Sequence, residues 1–492
     1  MTTAYSFSAQ LYIDGRRTDG ESQAGLIVRN PATEAVIAEV PQAAPADVRR
    51  AIAAARTAFD EGPWPRMRPA ERAVVLLRMA DEMERRLPEL VAVNMAEAGS
   101  VRSLAESLQT RVPIAHLRDM AERVIPAFAW DRPMAATIAP GIGISAGQVR
   151  REPFGVCTLI PAYNFPFFLS MMKLIPALAS GCTAVLKAAP ATPLESLLIG
   201  DFADHAGLPP GVLNIVTGDV EVGLELTTNP MVDLVSFTGS DAVGRMVYTQ
   251  AAATTKKVIL ELGGKSAGIV RADADLEGAV RSALAGITVH AGQGCSLLTR
   301  TIVHESVHDE LVERLRAGLA QVTVGDPAQP STTMGPLISP AQRDRVEKLI
   351  RAGEEEGAQI ATGGGRPAGL DRGYFVEPTL FVDVDTSMSI AQTEFFGPVG
   401  VVIPFRTDEE AVRIANDSPY GLSGAVWSAD TVTAHAIATR IRAGSIAING
   451  GSAGVNPRSP FGGYKQSGLG REWGEFGLDE YLQTKAISWA AR

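Results

Sequence analysis

The sequence predicts an α/β protein built from doubly wound sheets. From about residue 156 onward, short apolar runs alternate with segments of helical periodicity. Four of these runs are predicted to be buried parallel strands: Val156–Ile160, Ala184–Lys187, Val212–Val216 and Leu234–Phe237. A turn that contains proline or glycine follows each run, and 492 residues are enough for two or three structural units. Strand–helix alternation over this length favours two doubly wound α/β domains.

Helices are predicted ahead of that sheet. Apolar residues recur at helical spacing from Val48 to Phe59, and again from Ala73 to Leu87. Pro69 fits the first turn of the second helix, where its missing N–H has no partner to lose. The N-terminal part of the chain is therefore expected to cover the sheet with helices.

A second α/β unit is predicted to begin after Gly263 and Gly264, which we interpret as a hinge. Its predicted elements are the helix Val307–Leu319 and the strands Val401–Pro404 and Ile446–Asn449. The glycine pair thus separates two units of similar construction.

Two segments fit neither unit. Ala135–Gln148 is rich in alanine, glycine and isoleucine without a clear helical period, and Tyr481–Trp489 has a strand-like pattern near the end of the chain. They are interpreted either as an arm that packs against a second subunit or as two ordinary surface strands.

Composition excludes several classes of partner. The net charge of −10 is spread along the chain without a basic cluster, so nucleic acid is not an expected partner. No stretch approaches the roughly 20 apolar residues of a transmembrane helix, and Met1–Gln10 lacks the pattern of a secretory signal. The sparse, unpaired cysteines Cys157, Cys182 and Cys295 fit a reducing compartment, and a cytoplasmic location is predicted.

One short motif suggests a metal and needs weighing. Residues 304–308 match H-E-x-x-H, in which two histidines on one helix bind zinc. Here Thr301–Val303 is predicted to be a strand that runs into His304, and Ser306 is predicted to cap the next helix. The two histidines would then lie on different elements, and no metal site is predicted.

The chemistry is carried by a cysteine and a carboxylate. Cys295 ends the run Gly292–Cys295, and Glu261 begins the run Glu261–Ser266 at the end of an apolar strand. A thiolate can attack a carbonyl, and a buried carboxylate can activate water. A structural cysteine in a glycine-rich turn and a Cys295–His290 dyad are the alternatives. Gly292 and Gly294 are expected to let the backbone approach a substrate closely.

A strand that leads into a glycine-containing turn supplies a candidate phosphate site. Leu234–Phe237 runs into Thr238–Arg245, which aims free backbone N–H groups at an anion. The full G-x-G-x-x-G fingerprint is absent, so this turn alone is a weak dinucleotide signal.

These segments together resemble the aldehyde dehydrogenase superfamily. Further matching segments are Pro161–Pro166, Glu394–Pro398, Met334–Ile338, Gly373–Leu380 and Pro460–Gly468. The resemblance implies an aldehyde dehydrogenase-like α/β fold with two doubly wound domains and a small oligomerisation arm. It implies a dinucleotide-binding domain of residues 1–129 and 150–262, a catalytic domain of residues 263–478, and an arm of residues 130–149 and 479–492.

The resemblance also implies residue roles in the chemical step. Cys295 resembles the family nucleophile and Glu261 the base that activates water. Asn164 matches the asparagine that stabilises the oxyanion, and Lys173 matches a lysine that assists proton movement. The chain departs from the family beside Asn164, because Tyr163 stands where tryptophan is common and Ala162 where proline is common; the loop shape is therefore open.

The implied cofactor is NAD, with NADP possible. By resemblance, Lys187 reaches the adenosine ribose, the Gly239–Ser240 turn contacts the pyrophosphate, and Glu394 with Phe396 holds the nicotinamide ribose. Pro190 stands where NAD-preferring relatives often have a glutamate that binds the ribose hydroxyls and repels a 2′-phosphate. Exclusion of NADP is therefore expected to be weak.

The expected function is oxidation of an aldehyde to a carboxylic acid, through a cysteine thiohemiacetal and thioester, with hydride transfer to NAD(P). An apolar aldehyde is predicted, because Phe167, Phe168, Met171 and Met172 follow Asn164 on a predicted helix. The alternatives are a CoA-acylating aldehyde dehydrogenase, disfavoured by Glu261, and an inactive fold relative with a binding role. A homodimer or homotetramer is expected.

Overall fold

The computed structural model describes residues 8–141, 143–451 and 455–491. Residues 1–7, part of the N-terminal stretch examined for a signal, lie outside the described residues. The strands, numbered in chain order, are β1 (Leu11–Ile13), β2 (Arg16–Thr18), β3 (Gly25–Arg29), β4 (Val36–Pro41), β5 (Asp131–Ala139), β6 (Gly143–Pro153), β7 (Val156–Ile160), β8 (Thr183–Lys187), β9 (Leu213–Val216), β10 (Leu234–Thr238), β11 (Lys257–Glu261), β12 (Ala267–Val270), β13 (Arg300–His304), β14 (Gln359–Thr362), β15 (Thr379–Val382), β16 (Val399–Phe405), β17 (Ser423–Trp427), β18 (Ser445–Ile448), β19 (Gly468–Leu469) and β20 (Leu482–Ala491).

The α-helices flank these strands. They are α1 (Pro45–Asp60), α2 (Pro69–Arg85), α3 (Leu87–Glu97), α4 (Arg102–Leu104), α5 (Val112–Asp119), α6 (Ile125–Ala127), α7 (Pro166–Ser180), α8 (Leu194–Ala206), α9 (Val220–Thr228), α10 (Asp241–Ala252), α11 (Leu276–Thr288), α12 (His308–Leu319), α13 (Pro340–Glu355), α14 (Ser389–Gln392), α15 (Asp408–Asn416), α16 (Thr431–Ala438) and α17 (Gly474–Glu480). Two π-helical segments, Ala105–Arg111 and Met120–Val124, flank α5.

The first sheet has the strand order β19-β11-β10-β7-β8-β9-β1-β2. Its centre, from β11 to β9, is parallel, whereas β1, β2 and β19 pair antiparallel at the edges. The chain moves in one direction from β7 to β9 and in the other from β7 to β10 and β11. The strand order therefore reverses between β7 and β10, and a crevice at this point is where open α/β sheets bind ligands.

The second sheet has the order β14-β15-β16-β13-β12-β17-β18 and is parallel apart from β14. Its strands are apolar because helices cover both faces, as in α12 and α15. The loops that precede β12, β13 and β16 face the carboxyl ends of the first sheet, because they contribute residues to one shared cavity. The two sheets thus meet at that cavity.

A separate antiparallel sheet, in the order β20-β6-β5, joins the two segments that fit neither unit. Several of its apolar side chains are exposed, with relative accessibilities of 85% for Ile138, 52% for Ile144 and 50% for Trp489. The two segments interpreted as an arm or as surface strands therefore form one sheet.

Most predicted elements are present, with boundary shifts of one or two residues. The helix predicted from Ala73 to Leu87 instead ends at Arg85, and Leu87 begins α3, in which Pro88 occupies the first turn. Ser306 does not cap α12, because it lies inside a short 3₁₀ turn, Glu305–Val307. The His304 ring caps that turn by accepting from the Ser306 N–H.

Candidate active site

A cavity of about 650 Å³ opens between the two sheets. It lies at the carboxyl ends of β7 and β10, where the strand order reverses, as expected for a ligand crevice. Its lining includes most of the predicted site residues: Asn164, Lys187, Gly239, Ser240, Cys295, Glu394 and Phe396. Residues far apart in sequence are thus brought to one volume by the loops of both sheets.

Cys295 lies in the loop between α11 and β13. This loop turns sharply, because His290 and Ala291 have φ values of 50° and 52° and Gly292 has 71°. A Cβ on Gly292 would lie 1.9 Å from the Gly397 carbonyl oxygen. Gly292 therefore allows its loop to pack closely against the Glu394–Pro398 segment. The expectation that it makes room for a substrate is wrong. Gly294, by contrast, lines the cavity.

The environment of Cys295 disfavours its thiolate. Burial raises the pKa of the Cys295 thiol, and the carboxylates of Glu261 and Glu394 raise it further. The backbone N–H of Cys295 acts in the opposite direction. The free protein therefore stores this nucleophile as a thiol, and a base or a bound cationic group is needed to generate thiolate.

Two glycines hold the site segments together. A Cβ on Gly263 would lie 2.5 Å from the Glu394 carboxylate, and a Cβ on Gly264 would lie 2.3 Å from the Cys295 carbonyl oxygen. The Gly264 N–H also donates to Glu394 Oε1 at 2.9 Å. The pair predicted as a hinge is thus the place where three segments of the site make close contact.

The Glu394–Phe396 turn is clamped from α13. The Arg345 guanidinium donates to the carbonyls of Glu394 and Phe395, and the Gln342 amide donates to those of Phe395 and Phe396. Burial raises the pKa of Glu394 to about 7, with the Gly264 N–H and Arg345 opposing that rise. The carboxylate therefore titrates near neutral pH. Sequence reasoning missed Gln342 and Arg345, because nothing local marks contacts between distant loops.

Asn164 lies in the irregular loop between β7 and α7 and is 3% exposed. Its Nδ2 donates to the Gln293 carbonyl at 2.9 Å, two residues before Cys295. One amide hydrogen thus ties the two loops together, and the other is free to meet a developing oxyanion. Tyr163, beside it, packs its ring edge-on to Phe396 at 5.9 Å, so the departure from tryptophan keeps an aromatic contact.

His290 does not form a dyad with Cys295. Its ring is buried and lies 5.3 Å from that of Phe165, which follows Asn164 in the same loop. Burial lowers the pKa of His290 to about 4, so it is neutral at physiological pH. Its contacts therefore support the Asn164 loop.

Glu261 lies beside the cavity in a buried cluster of charged groups. It is 2% exposed, and neither carboxylate oxygen has a hydrogen-bond partner among the described residues. Burial raises the pKa of Glu261, and Glu472 adds to the rise, whereas Lys173 and Arg471 oppose it. A carboxylate without partners, held beside Cys295, is suited to take a proton from water.

Lys173 lies behind Glu261 and does not line the cavity. Its ammonium is fully buried and donates to Glu472 at 2.8 Å and to Ser236 at 3.1 Å. Sequence reasoning missed Glu472, because its contact with Lys173 spans 299 residues of the chain. Lys173 and Glu472 thus form a buried ion pair whose charges act on Glu261 electrostatically.

The opposite end of the cavity is suited to a dinucleotide. Lys187 ends β8, and burial lowers its pKa to about 8. Ser240 caps α10, and its hydroxyl accepts from the Val243 N–H, so the helix N-terminus faces the cavity. A Cβ on Gly239 would lie 2.4 Å from the Phe237 ring, so a larger residue here would require that ring to move. Lys187 and the N-terminus of α10 can bind an anion and thus fit the charged part of NAD. The Glu394 carboxylate fits a ribose.

The remaining wall of the cavity is apolar and aromatic. It includes Leu108, Phe165, Phe168, Leu169, Phe461 and Trp473. Of the four apolar residues predicted to face the substrate, only Phe168 lines the cavity. Phe167, Met171 and Met172 are buried in the core, because the fully buried α7 turns these side chains away from the cavity.

Within residues 8–141, 143–451 and 455–491, no group of three or more His, Cys, Asp or Glu could hold a metal ion. His304 ends β13 and His308 begins α12, where it contacts Asp309 and Asp383. The H-E-x-x-H match is thus split between two elements.

No helix in the described part of the chain is long and apolar enough to cross a membrane.

The site is suited to a nucleotide-dependent oxidoreductase with a covalent step. It combines a cavity at the switch point of the sheet with an anion-binding helix N-terminus and with a cysteine near a buried carboxylate. Comparisons with known proteins agree. The family model described as the aldehyde dehydrogenase family matches residues 18–487. 3-Succinoylsemialdehyde-pyridine dehydrogenase from a Pseudomonas species is 41% identical over 97% of this chain and 98% of its own.

Solved structures show the same fold. Aldehyde dehydrogenase from Mycobacterium tuberculosis, complexed with NAD+, has a TM-score of 0.93 and 43% identity, covering 97% of both chains. A mutant of aldehyde dehydrogenase C from Pseudomonas syringae, complexed with NAD+ and octanal, has a TM-score of 0.91 and 41% identity, covering 97% of this chain and 96% of that one. The chain belongs to the aldehyde dehydrogenase family. The predicted fold class and the predicted oxidation of aldehydes with a nicotinamide cofactor are confirmed.

Proposed function

We propose that this enzyme oxidises apolar aldehydes to carboxylic acids with NAD, through a covalent intermediate on Cys295. The observation that carries the proposal is the shared cavity, in which Cys295 and Asn164 lie between an anion-binding end and an aromatic wall. Lys187, Ser240 and Glu394 hold the cofactor, and bound NAD accepts a hydride from the captured aldehyde. The relatives complexed with NAD+ support this assignment.

Cys295 and Asn164 act in the first half of the reaction. The Cys295 thiol first loses its proton to solvent, the thiolate sulfur attacks the aldehyde carbon, and the carbonyl oxygen acquires negative charge. The free hydrogen of the Asn164 amide and the Cys295 N–H stabilise that charge, and one such donor is typically worth about 3–4 kcal/mol. Loss of a hydride then converts the thiohemiacetal to a thioester on Cys295.

Glu261 acts in the second half. It removes a proton from water as the water attacks the thioester carbon; the carboxylic acid is released, Cys295 leaves as its thiolate, and Glu261 holds the proton. Its high pKa makes it a strong enough base for this task, and Lys173 favours the ionised form.

The substrate class rests on the aromatic wall. Phe165, Phe168, Phe461 and Trp473 offer no charge to hold an anionic substrate, and Phe461 stacks on Trp473 at 4.5 Å. We therefore expect medium-chain aliphatic, terpenoid or aromatic aldehydes to be preferred. A panel of aldehydes tests this: kcat/KM for hexanal or benzaldehyde should exceed that for succinic semialdehyde, and the reverse order would reject the apolar assignment.

Product analysis separates the proposed reaction from its alternatives. Purified enzyme supplied with hexanal and NAD should form NADH and hexanoate in equal amounts, with or without CoA. Hexanoyl-CoA as the main product would indicate the CoA-acylating reaction. No NADH with any aldehyde of the panel would favour an inactive relative with a binding role.

Assembly and location belong to the same proposal. The sheet β20-β6-β5, with its exposed Ile138, Ile144 and Trp489, is suited to pack against a second copy in a homodimer or homotetramer. The free thiols Cys157, Cys182 and Cys295 support a reducing, cytoplasmic location. The predicted domain boundaries, with the first sheet binding the dinucleotide, are part of the proposal. In that scheme β19 crosses back from the catalytic range to pair with β11.

A further inference from the structure

The Asn164 loop is held in place by side chains. The loop joins β7 to α7 and belongs to neither element, because β7 ends at Ile160 and α7 begins at Pro166. The Thr192 hydroxyl donates to the Tyr163 carbonyl at 3.3 Å, and the Gln109 amide donates to the Asn164 carbonyl at 3.0 Å. The position of Asn164 therefore depends on partners distant in sequence.

Gln109 is built for this contact. It is fully buried in the π-helical segment Ala105–Arg111, and such segments are frequent at functional sites. Its Nε2 also donates to the Ser100 hydroxyl at 3.2 Å. The Asn164 carbonyl can only accept, so the amide nitrogen must face it; the opposite orientation would set two acceptors against each other.

The other amide atom of Gln109 has no partner. Its Oε1 is buried without a hydrogen bond among the described residues, which is an unfavourable state for a polar atom. An apolar side chain would avoid this cost, so the amide is retained for what its nitrogen does. No charged group of the proposed mechanism contacts Gln109, which separates it from the acid–base chemistry.

We infer that Gln109 is a positioning residue of the oxyanion site, which fixes the Asn164 backbone so that the Asn164 amide points at the substrate oxygen. The inference rests on the proposed function, in which Asn164 stabilises the oxyanion. Asn164 is then held from two sides: Gln109 binds its carbonyl, and its own Nδ2 binds the Gln293 carbonyl in the cysteine loop.

The first test compares Gln109→Leu with a matched control. Gln109→Leu should slow the pre-steady-state burst of NADH by roughly 10- to 100-fold, the scale of a small misplacement in an active site, with unchanged NAD affinity. Thr110→Val removes a buried hydroxyl bond to the Ala105 carbonyl in the same π-helical segment and should leave the burst rate intact. Equal losses in both variants would mean that only the fold of the segment matters, which overturns the inference.

The second test is a double-mutant cycle with Asn164→Ala. If Gln109 acts through Asn164, adding Gln109→Leu to Asn164→Ala should slow the burst little further. Fully additive losses would overturn the inference while leaving the proposed role of Asn164 intact. An unchanged burst in Asn164→Ala alone would instead remove the proposed role of Asn164, and the inference with it.

Gln109→Glu keeps the test decisive if the leucine variant fails to fold. A carboxyl group donates to the Asn164 carbonyl only when protonated, so the deficit in burst rate should shrink as pH falls, relative to the wild-type profile. A deficit that does not change with pH would count against positioning by a donated hydrogen bond.

Discussion

The two ends of the cavity are built by different means. Two groups of the cofactor end come from the termini of regular elements, since Lys187 ends β8 and Ser240 caps α10, whereas Glu394 lies in a turn clamped from α13. The chemical end depends on irregular loops, positive-φ residues and glycine contacts around Cys295. Binding a dinucleotide needs only the dipoles and N–H groups that any strand–turn–helix supplies, whereas catalysis needs atoms from separate loops held in contact.

The pKa values of the buried groups also differ between the two ends of the cavity. At the cofactor end, burial leaves Lys187 and Glu394 with pKa values of about 8 and about 7, so both ionise near neutral pH. At the chemical end, burial and neighbouring carboxylates raise the pKa values of Cys295 and Glu261. The cofactor end is ready to bind at neutral pH, whereas burial at the chemical end disfavours the ionised forms of Cys295 and Glu261.

Removal of the nucleophile should give the largest effect and separate the two ends completely. Cys295→Ala should lower aldehyde oxidation by roughly 10⁴-fold or more, because no other described thiol lines the cavity. NAD binding, measured by fluorescence titration, should be nearly unchanged, since its binding groups lie elsewhere. Cys182→Ala, which alters a buried thiol in the core, is the control and should retain turnover. Near-normal turnover of Cys295→Ala would show that the thiol is not the nucleophile.

Glu261→Gln should divide the chemical end into its two half-reactions. The hydride step should persist, whereas hydrolysis of the thioester should slow by roughly 10²- to 10⁴-fold, because an amide cannot take a proton from water. Stopped-flow absorbance should therefore show a burst of NADH followed by a slow steady rate. Loss of the burst with unchanged hydrolysis would assign Glu261 another role.

The pH dependence should distinguish the two ends. Cys295 and Glu261 act in deprotonated form with raised pKa values, so kcat should increase as pH rises above neutral. The KM for NAD should be lowest between pH values of about 7 and about 8, where the Glu394 carboxylate is ionised and the Lys187 amine is still protonated. Glu394→Gln should abolish the rise in KM on the acid side. A KM that is flat with pH in the wild type would contradict this account of the cofactor end.

The smallest expected effect concerns cofactor choice at Pro190. This exposed residue lines the cavity after Lys187 and presents neither an acceptor for ribose hydroxyls nor a charge against a 2′-phosphate. We expect NAD to be preferred, with measurable NADP activity. Pro190→Glu should lower kcat/KM for NADP several-fold more than for NAD, in line with the modest strength of one partly exposed charge. Equal changes for both cofactors would reject the role of this position.

The same contrast explains what the sequence could predict. Parallel strands such as Val156–Ile160 follow from apolar runs, and the positions of the residues at strand ends follow from the strands. Lys187 and Ser240 accordingly line the cavity, and their contacts with the cofactor stay predictions. Glu472 and Gln109 escaped prediction, because each contacts the site across a large sequence separation. The prediction that Phe167, Met171 and Met172 face the substrate is wrong. Because α7 is buried on every side, its apolar pattern does not indicate which side chains point towards the cavity.

The central claim is that the oxidised substrate passes through a thioester on Cys295 that Glu261 resolves. It is tested most directly by intact-protein and peptide mass spectrometry of Glu261→Gln, quenched with acid after one burst with hexanal and NAD. The account predicts a hexanoyl adduct on the peptide that contains Cys295, in an amount that matches the NADH burst, and no adduct in Cys295→Ala. NADH formation without any acyl adduct on Cys295 would contradict it.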